Sequence, residues 1–174
     1  MTEDPGDQPP AGQPASGQSA QAFDPKSVDP MDWGIIGAGV VAFLFSTFSF
    51  FTYSVSIASF SQTASVSAWH GGLAPLAILL ATLAAVLLAV HLIAKVALPF
   101  PVRLVVLAAF ALAVLLLILV LFVVPGNTGG FVGTGIKIDK GHGVGYWITL
   151  LATLVGTGLS YKRFTDTGGT LPSR

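Results

Sequence analysis

Residues 33–161 carry four long apolar stretches, at about 33–53, 73–96, 102–124 and 144–161, with charged side chains confined to their ends. Nothing else in the chain restricts its fold as much. A helix that crosses the ~30 Å hydrocarbon layer of a bilayer needs about 20 apolar residues at ~1.5 Å each, and the first three stretches reach that length. The fourth is shorter and calls for little tilt or a locally thinned bilayer. Over 174 residues, hydrophobic types make up 53% and Asp, Glu, Lys and Arg only 9%, against roughly 25% charged residues in a soluble domain. The expected fold class is an all-α membrane protein, a four-transmembrane-helix bundle within residues 31–164.

Residues 1–30 hold six Pro, four Gln and three Gly, with Phe23 as the only aromatic. No apolar face there repays the entropy of ordering, so a disordered, acidic N-terminal tail is expected. The basic and apolar regions of a cleavable signal are missing from it, so the first helix is expected to be an uncleaved anchor. Asp29 and Asp32 suit the positive end of that helix, and Trp33 suits a membrane interface. Pro75 falls in the first turn of the second helix, residues 99–101 (PFP) predict a tight antiparallel turn, and residues 125–127 (PGN) end the third helix. Tyr146, Trp147, Tyr161 and Phe164 bracket the fourth as interfacial anchors.

Orientation follows from the basic residues. Lys26, Lys95, Arg103, Lys162, Arg163 and Arg174 belong to one side, Lys137 and Lys140 to the other. Basic loops stay inside, so both termini, including the tail at 165–174, are expected to be cytoplasmic in a multi-pass plasma-membrane protein. Loops 54–72 and 125–143 then face outward.

The first helix poses a length problem. Continued to Phe60 it would measure roughly 42 Å, more than the hydrocarbon layer. From Ser54 onward, Ser54, Ser56, Ser65 and Ser67 alternate with Val55, Ile57, Val66 and Ala68, a period of two with β-branched residues. Residues 54–69 are therefore expected to leave the membrane as a small β-hairpin or extended lid, although residues 59–63 (SFSQT) lack the usual turn residues. A continued first helix is the alternative.

Few residues offer chemistry. Cysteine is absent, which excludes disulfides, thiol redox chemistry and Cys-ligated metals. Zero formal charge gives no footprint for nucleic acid. Residues 130–137 (GFVGTGIK) superficially resemble a phosphate loop, but Ile136 stands where lysine must follow the second glycine, and a flexible glycine-rich loop is expected instead. His70 and His142 near the outer surface make a poor metal pair with only Asp139 close in sequence, and His91 and Lys95 share a helix face without a membrane carboxylate to form a proton relay. Every Asp and Glu lies in a tail, an outer loop or the start of the first helix. Exporters that depend on a membrane glutamate are thereby excluded, as are thiol oxidases, which need cysteines, and di-haem cytochromes, which need paired intramembrane histidines; no cofactor or metal is expected.

The helices do display packing surface. Gly145, Thr149, Thr153 and Thr157 recur at i,i+4 on the fourth, with Ala152, Gly156 and Ser160 on the adjoining row; Ala77, Ala81, Ala85 and Ala89 repeat the idea on the second. Small residues let helix backbones approach in lipid, within the bundle or between chains. Residues 48–53 (FSFFTY) and the serine-rich segment ending in residues 67–72 (SAWHGG) resemble small uncharacterised four-helix membrane proteins of high-GC Gram-positive bacteria. That resemblance implies a bacterial plasma membrane and supplies no catalytic residues. Claudin-like proteins share the two-outer-loop topology, but their paired outer cysteines are missing.

The expected function is non-enzymatic. An envelope or membrane-complex accessory protein would bind a partner or lipid through Tyr53, Trp69 and His70, with the bilayer itself and a second membrane protein or copy as partners. The alternative is a small channel or lipid-type permease lined by helix hydroxyls; an enzyme, third, would have to work with Ser, Tyr or His alone.

Overall fold

Asp29 starts the first helix. Its carboxylate accepts the Met31 N–H at 2.8 Å, and Pro30 fills the first helical position, where a missing N–H costs nothing. In this computed structural model, which describes residues 25–57, 60–94, 101–123 and 136–168, the helix is α1, Pro30–Phe45. It stops well short of the predicted residue 53. The Ser46 and Thr47 hydroxyls donate to the Phe43 and Leu44 carbonyls at 2.6 and 2.7 Å, satisfying acceptors of the last turn, and the chain turns into a strand.

That strand is β1, Phe51–Ile57; β2, Phe60–Val66, returns antiparallel to it, so the expected hairpin forms, three residues earlier than predicted. A 3-10 turn at Ala68–His70 leads into α2, Ala74–Ala94, and α3 runs Val102–Phe122. The segment expected to be a flexible loop contains β3, Ile136–His142, which pairs antiparallel with the other side of β1. The sheet order is β2-β1-β3, so the chain is not all-α. Finally α4, Val144–Asp166, runs five residues beyond its predicted end and, at 23 residues, is the longest helix. The tail up to residue 24, Lys95, the turn at 99–100, the segment 124–135 with most of the phosphate-loop-like glycines, and residues 169–174 lie outside the described residues.

The helices pack as a ring in which α1 touches α2 and α4, and α3 touches α2 and α4. The inner faces of α1, α2 and α4 are rich in small or hydroxylated residues, and α3 sets Val106, Phe110 and Leu117 against them. Ala38, Gly39 and Ala42 of α1 and Ala77, Ala81 and Ala85 of α2 are buried, while Leu83, Leu115 and Leu151 on the outer faces are 61%, 58% and 60% exposed. Large apolar groups outside and small ones inside reverse the soluble pattern. By length and composition α2, α3 and α4 can each cross a membrane; α1, at 16 residues, is apolar but shorter.

The turn from α1 to β1 carries irregular backbone, and the protein satisfies it. Ser46 C=O accepts from Ala68 N–H at 3.0 Å, Ser49 C=O from Gly145 N–H at 2.9 Å, and Phe50 C=O from Gly143 N–H at 2.9 Å. Around it, buried Phe50, Phe51 and Tyr146 form edge-on ring pairs, and the Tyr146 hydroxyl donates to the Leu117 carbonyl of α3 at 2.9 Å. Tyr146→Phe should therefore cost about 1 kcal/mol of stability, read as a melting temperature lower by ~2–4 °C in detergent. An unchanged value would mean that this hydrogen bond contributes nothing net.

Candidate functional site

The register of the sheet sorts its side chains into two unlike faces. Directly opposed residues share a face, and neighbours along a strand alternate. On one side lie Phe51, Tyr53 and Val55 of β1, Val66, Ala64, Gln62 and Phe60 of β2, and His142, Lys140 and Ile138 of β3, a mainly apolar face; on the other lie Thr52, Ser54, Ser56, Ser61, Thr63 and Ser65, with Asp139. Ser54 and Thr63 hydroxyls meet at 2.9 Å across the polar face. The apolar face is buried at its base, where Phe51 is fully covered and Tyr53 and Val66 pack on the core, and exposed beyond, where Phe60 is 72% accessible.

The register also says what the sheet's open edge offers. Gly143 N–H bonds the Phe50 carbonyl, so Phe51 and His142 are a non-hydrogen-bonded pair and Phe51 turns its backbone groups towards Val66. By alternation, Phe60, Gln62, Ala64 and Val66 bond β1, whereas Ser61, Thr63 and Ser65 direct their N–H and C=O groups away from it. No described strand covers that edge. Across its seven residues β2 has no charge and no proline, the usual devices that blunt an edge strand, whereas β3 carries Lys137, Asp139 and Lys140.

The predicted contact residues fall close to this sheet but not in one cluster. Tyr53 lies on the apolar face. The Trp69 indole donates to Ser46 Oγ at 3.1 Å and meets Phe43 edge-on at 6.1 Å, so part of it braces the α1 terminus while 39% stays exposed. His70 is exposed, its Nδ1 3.3 Å from Ser67 Oγ. His142 stands apart from it, against Phe51 and Tyr146, with Nε2 3.2 Å from the Val120 carbonyl.

On α4, Gly145, Thr149, Thr153, Gly156 and Ser160 are buried, and Ala152 and Thr157 are half-buried beside them. The face packs inward. Thr149 Oγ1 reaches the Ala42 carbonyl of α1 at 3.4 Å, Thr153 and Thr157 donate to carbonyls of their own helix, and a Cβ on Gly156 would meet the Phe110 ring at 2.5 Å.

The opposite end of the bundle holds a charge cluster that sequence reading did not assemble. Asp32, with a side chain 2% exposed, accepts from Arg163 Nε and Nη2 at 3.3 Å each and from Arg103 Nη1 at 3.5 Å; Arg163 Nη1 also pairs with Asp29 at 2.9 Å. Two carboxylates balance two guanidinium groups, tying together α1, α3 and α4. The signal was available, because alternating helix directions bring the start of α1, the start of α3 and the end of α4 to one end. Beside the cluster, Ser160 Oγ is buried without a partner among the described residues, next to a void of about 10 Å³, room for at most one water.

Larger hollows are apolar and open sideways. One of about 290 Å³ lies between α1 and α4 at Gly34, Ala38, Leu151 and Val155, and one of about 240 Å³ lies between α1 and α2 at Trp33, Ile36 and Leu92. Neither brings together an acid, a base or a nucleophile. Among the described residues no three His, Asp or Glu side chains are grouped for a metal. Comparison with known protein families, curated proteins and solved structures finds no match for the chain.

Proposed function

We propose that the chain is a non-enzymatic, multi-pass protein of a bacterial plasma membrane, with both termini cytoplasmic and the sheet outside, serving as an accessory subunit of a membrane complex. Its partner presents an extended strand that pairs with the open edge of β2. The orientation is supported by Arg103, Lys162 and Arg163, all at the end of the bundle away from the sheet, as cytoplasmic basic residues should be. The short α1 fits because in its irregular continuation at 46–50 the N–H groups of Ser46, Thr47, Phe48 and Phe50 and the carbonyls of Ser46, Ser49 and Phe50 are bonded within the protein, as non-helical chain at membrane depth requires.

The observation that carries the partner reading is the charge-free edge, with backbone groups of Ser61, Thr63 and Ser65 facing outward. Strand addition supplies affinity through those groups. The channel reading draws less support, because the α4 hydroxyls that would line a pore are packed against α1 or bonded to their own helix.

Thr63→Pro tests this directly. The Thr63 N–H points away from β1, so proline there removes an edge donor while leaving the β1 ladder intact, at a cost to stability under about 1 kcal/mol. Tagged full-length protein purified from native membranes in mild detergent is expected to bring down a stoichiometric partner that falls at least tenfold in Thr63→Pro, with Trp69→Ala run alongside to score the 3-10 turn. A partner retained equally in Thr63→Pro rules out the β2 edge, and no stoichiometric partner in the wild type rules out the accessory reading.

A further inference from the structure

We infer that the sheet lies along the outer leaflet, with the distal half of its apolar face, Val55, Phe60 and Ile138, in contact with lipid. The inference rests on the membrane-spanning reading above and is independent of any partner at β2. Four observations converge on it.

The face that packs on the bundle is the apolar one. Phe51, Tyr53 and Val66 join the core by that face, and His142 beside them reaches the end of α3, so the apolar face is the one turned towards the bundle at its base. Beyond those base rows the same side of the sheet continues past its contacts with the core. From Phe51 to the hairpin tip is about 20 Å at ~3.3 Å per residue, far enough for the distal rows to clear the helices. Val55, Phe60 and Ile138 are accordingly 36%, 72% and 38% exposed.

Beyond its contact with the protein that face carries Val55, Phe60 and Ile138, with the uncharged Gln62 opposite Val55, while the opposite face carries only hydroxyl residues on β1 and β2. An upright sheet in water would have no use for that asymmetry; a sheet between lipid and water requires it. The flanking residue types also fit an interface. Tyr53 and Lys140 oppose each other on the apolar face, and Trp69 and Trp147, both partly exposed, mark the same end of the bundle. Lipid is also the medium that already covers the exposed Leu83, Leu115 and Leu151 of the helices, so the apolar environment is continuous from the bundle to the sheet.

The absence of cysteine makes the test clean. Single nitroxide labels are placed at Phe60→Cys and Ile138→Cys on the apolar face, at Thr63→Cys on the polar face, and at Leu115→Cys on the outer side of α3, in nanodiscs of phosphatidylethanolamine and phosphatidylglycerol. Collision with oxygen and with a water-soluble nickel chelate is measured for each. Positions 60 and 138 are expected to favour oxygen at least fivefold more than position 63, approaching position 115. A position 60 as open to nickel as position 63, with position 115 in lipid, overturns the leaflet contact alone. A position 60 closed to both reagents and dipolar-broadened means that a second copy covers the face, which also overturns it. A position 115 open to nickel would instead overturn the membrane-spanning reading. As a second variant, Phe60→Asp is expected to move the label at position 138 towards nickel access without lowering the melting temperature, since Phe60 touches little of the protein; an unmoved label at 138 counts against the proposal.

Discussion

Asp32→Ala should lower the apparent melting temperature in detergent by about 5–15 °C, the largest effect of any single charge change in this chain. The substitution leaves Arg103 and Arg163 facing each other where a carboxylate with a side chain 2% exposed had held both. Removing one partner from a buried ion pair typically costs 3–5 kcal/mol, because the remaining charge stays desolvated. Here the arginine side chains are 27% and 21% exposed and recover some hydration, so about 2–4 kcal/mol is the expected loss. The ranking is as informative as the size. Arg163→Ala should follow, since Arg163 makes two bonds to Asp32 and one to Asp29, and Arg103→Ala should cost under about 1 kcal/mol for its single contact at 3.5 Å. Replacing Asp32, Arg103 and Arg163 together with apolar side chains of similar volume should recover much of the loss, because no charge is then left buried alone. Three single variants with equal melting temperatures would show the cluster to be peripheral to stability.

That cluster also marks where reading the sequence fell short. The basic residues were weighed for their side of the membrane and Asp32 for the dipole of its own helix, each locally correct. What places them in contact is the alternation of helix directions, a property of the whole chain. By contrast, α2 and α3 were legible to within one or two residues at each end, since their apolar runs are bounded by proline or polar residues.

The first helix was misjudged for a physical reason. Residues 43–53 (FLFSTFSFFTY) mix aromatic and hydroxyl residues without a charge, proline or glycine, so no conventional stop signal marks where helix becomes turn and turn becomes strand. The stop lies in two hydroxyls bonding back to Phe43 and Leu44, and serine and threonine are common enough in membrane helices to hide it. The fourth helix was ended early because Tyr161, Lys162 and Arg163 were read only as interfacial anchors. Basic residues also stabilise a helix C-terminus, and α4 continues to Asp166. Of the sheet, the hairpin was legible from its serine alternation. β3 was not, because its period of two spans few residues and ends at Gly141 and Gly143. The two faces and the open edge of the sheet needed the register, which no single strand reveals.

Gly145→Val is expected to be the most damaging substitution at the junction of sheet and bundle, costing about 3 kcal/mol, the upper part of the usual overpacking range. A Cβ at this position would stand 2.6 Å from the Phe45 carbonyl oxygen and 2.9 Å from that of Ser49, and a Cβ on the nearby Gly143 would also run into Ser49. These are backbone atoms at the end of α1, held by the Gly145 N–H bond to Ser49 at 2.9 Å, so no rotamer change relieves the clash. Gly156 provides the control. The three atoms nearest its Cβ would all belong to the Phe110 side chain, the first at 2.5 Å, so Gly156→Ala should be rescued by Phe110→Leu, whereas no side-chain truncation should rescue Gly145→Val. Because the clash separates α1 from the start of α4, where β1 and β3 are anchored, hydrogen exchange in Gly145→Val should accelerate across the whole sheet before it does so in α2 and α3. Exchange that accelerates uniformly over all four helices would mean that the sheet and the bundle unfold as one unit, and that the turn at 46–50 is no separate joint.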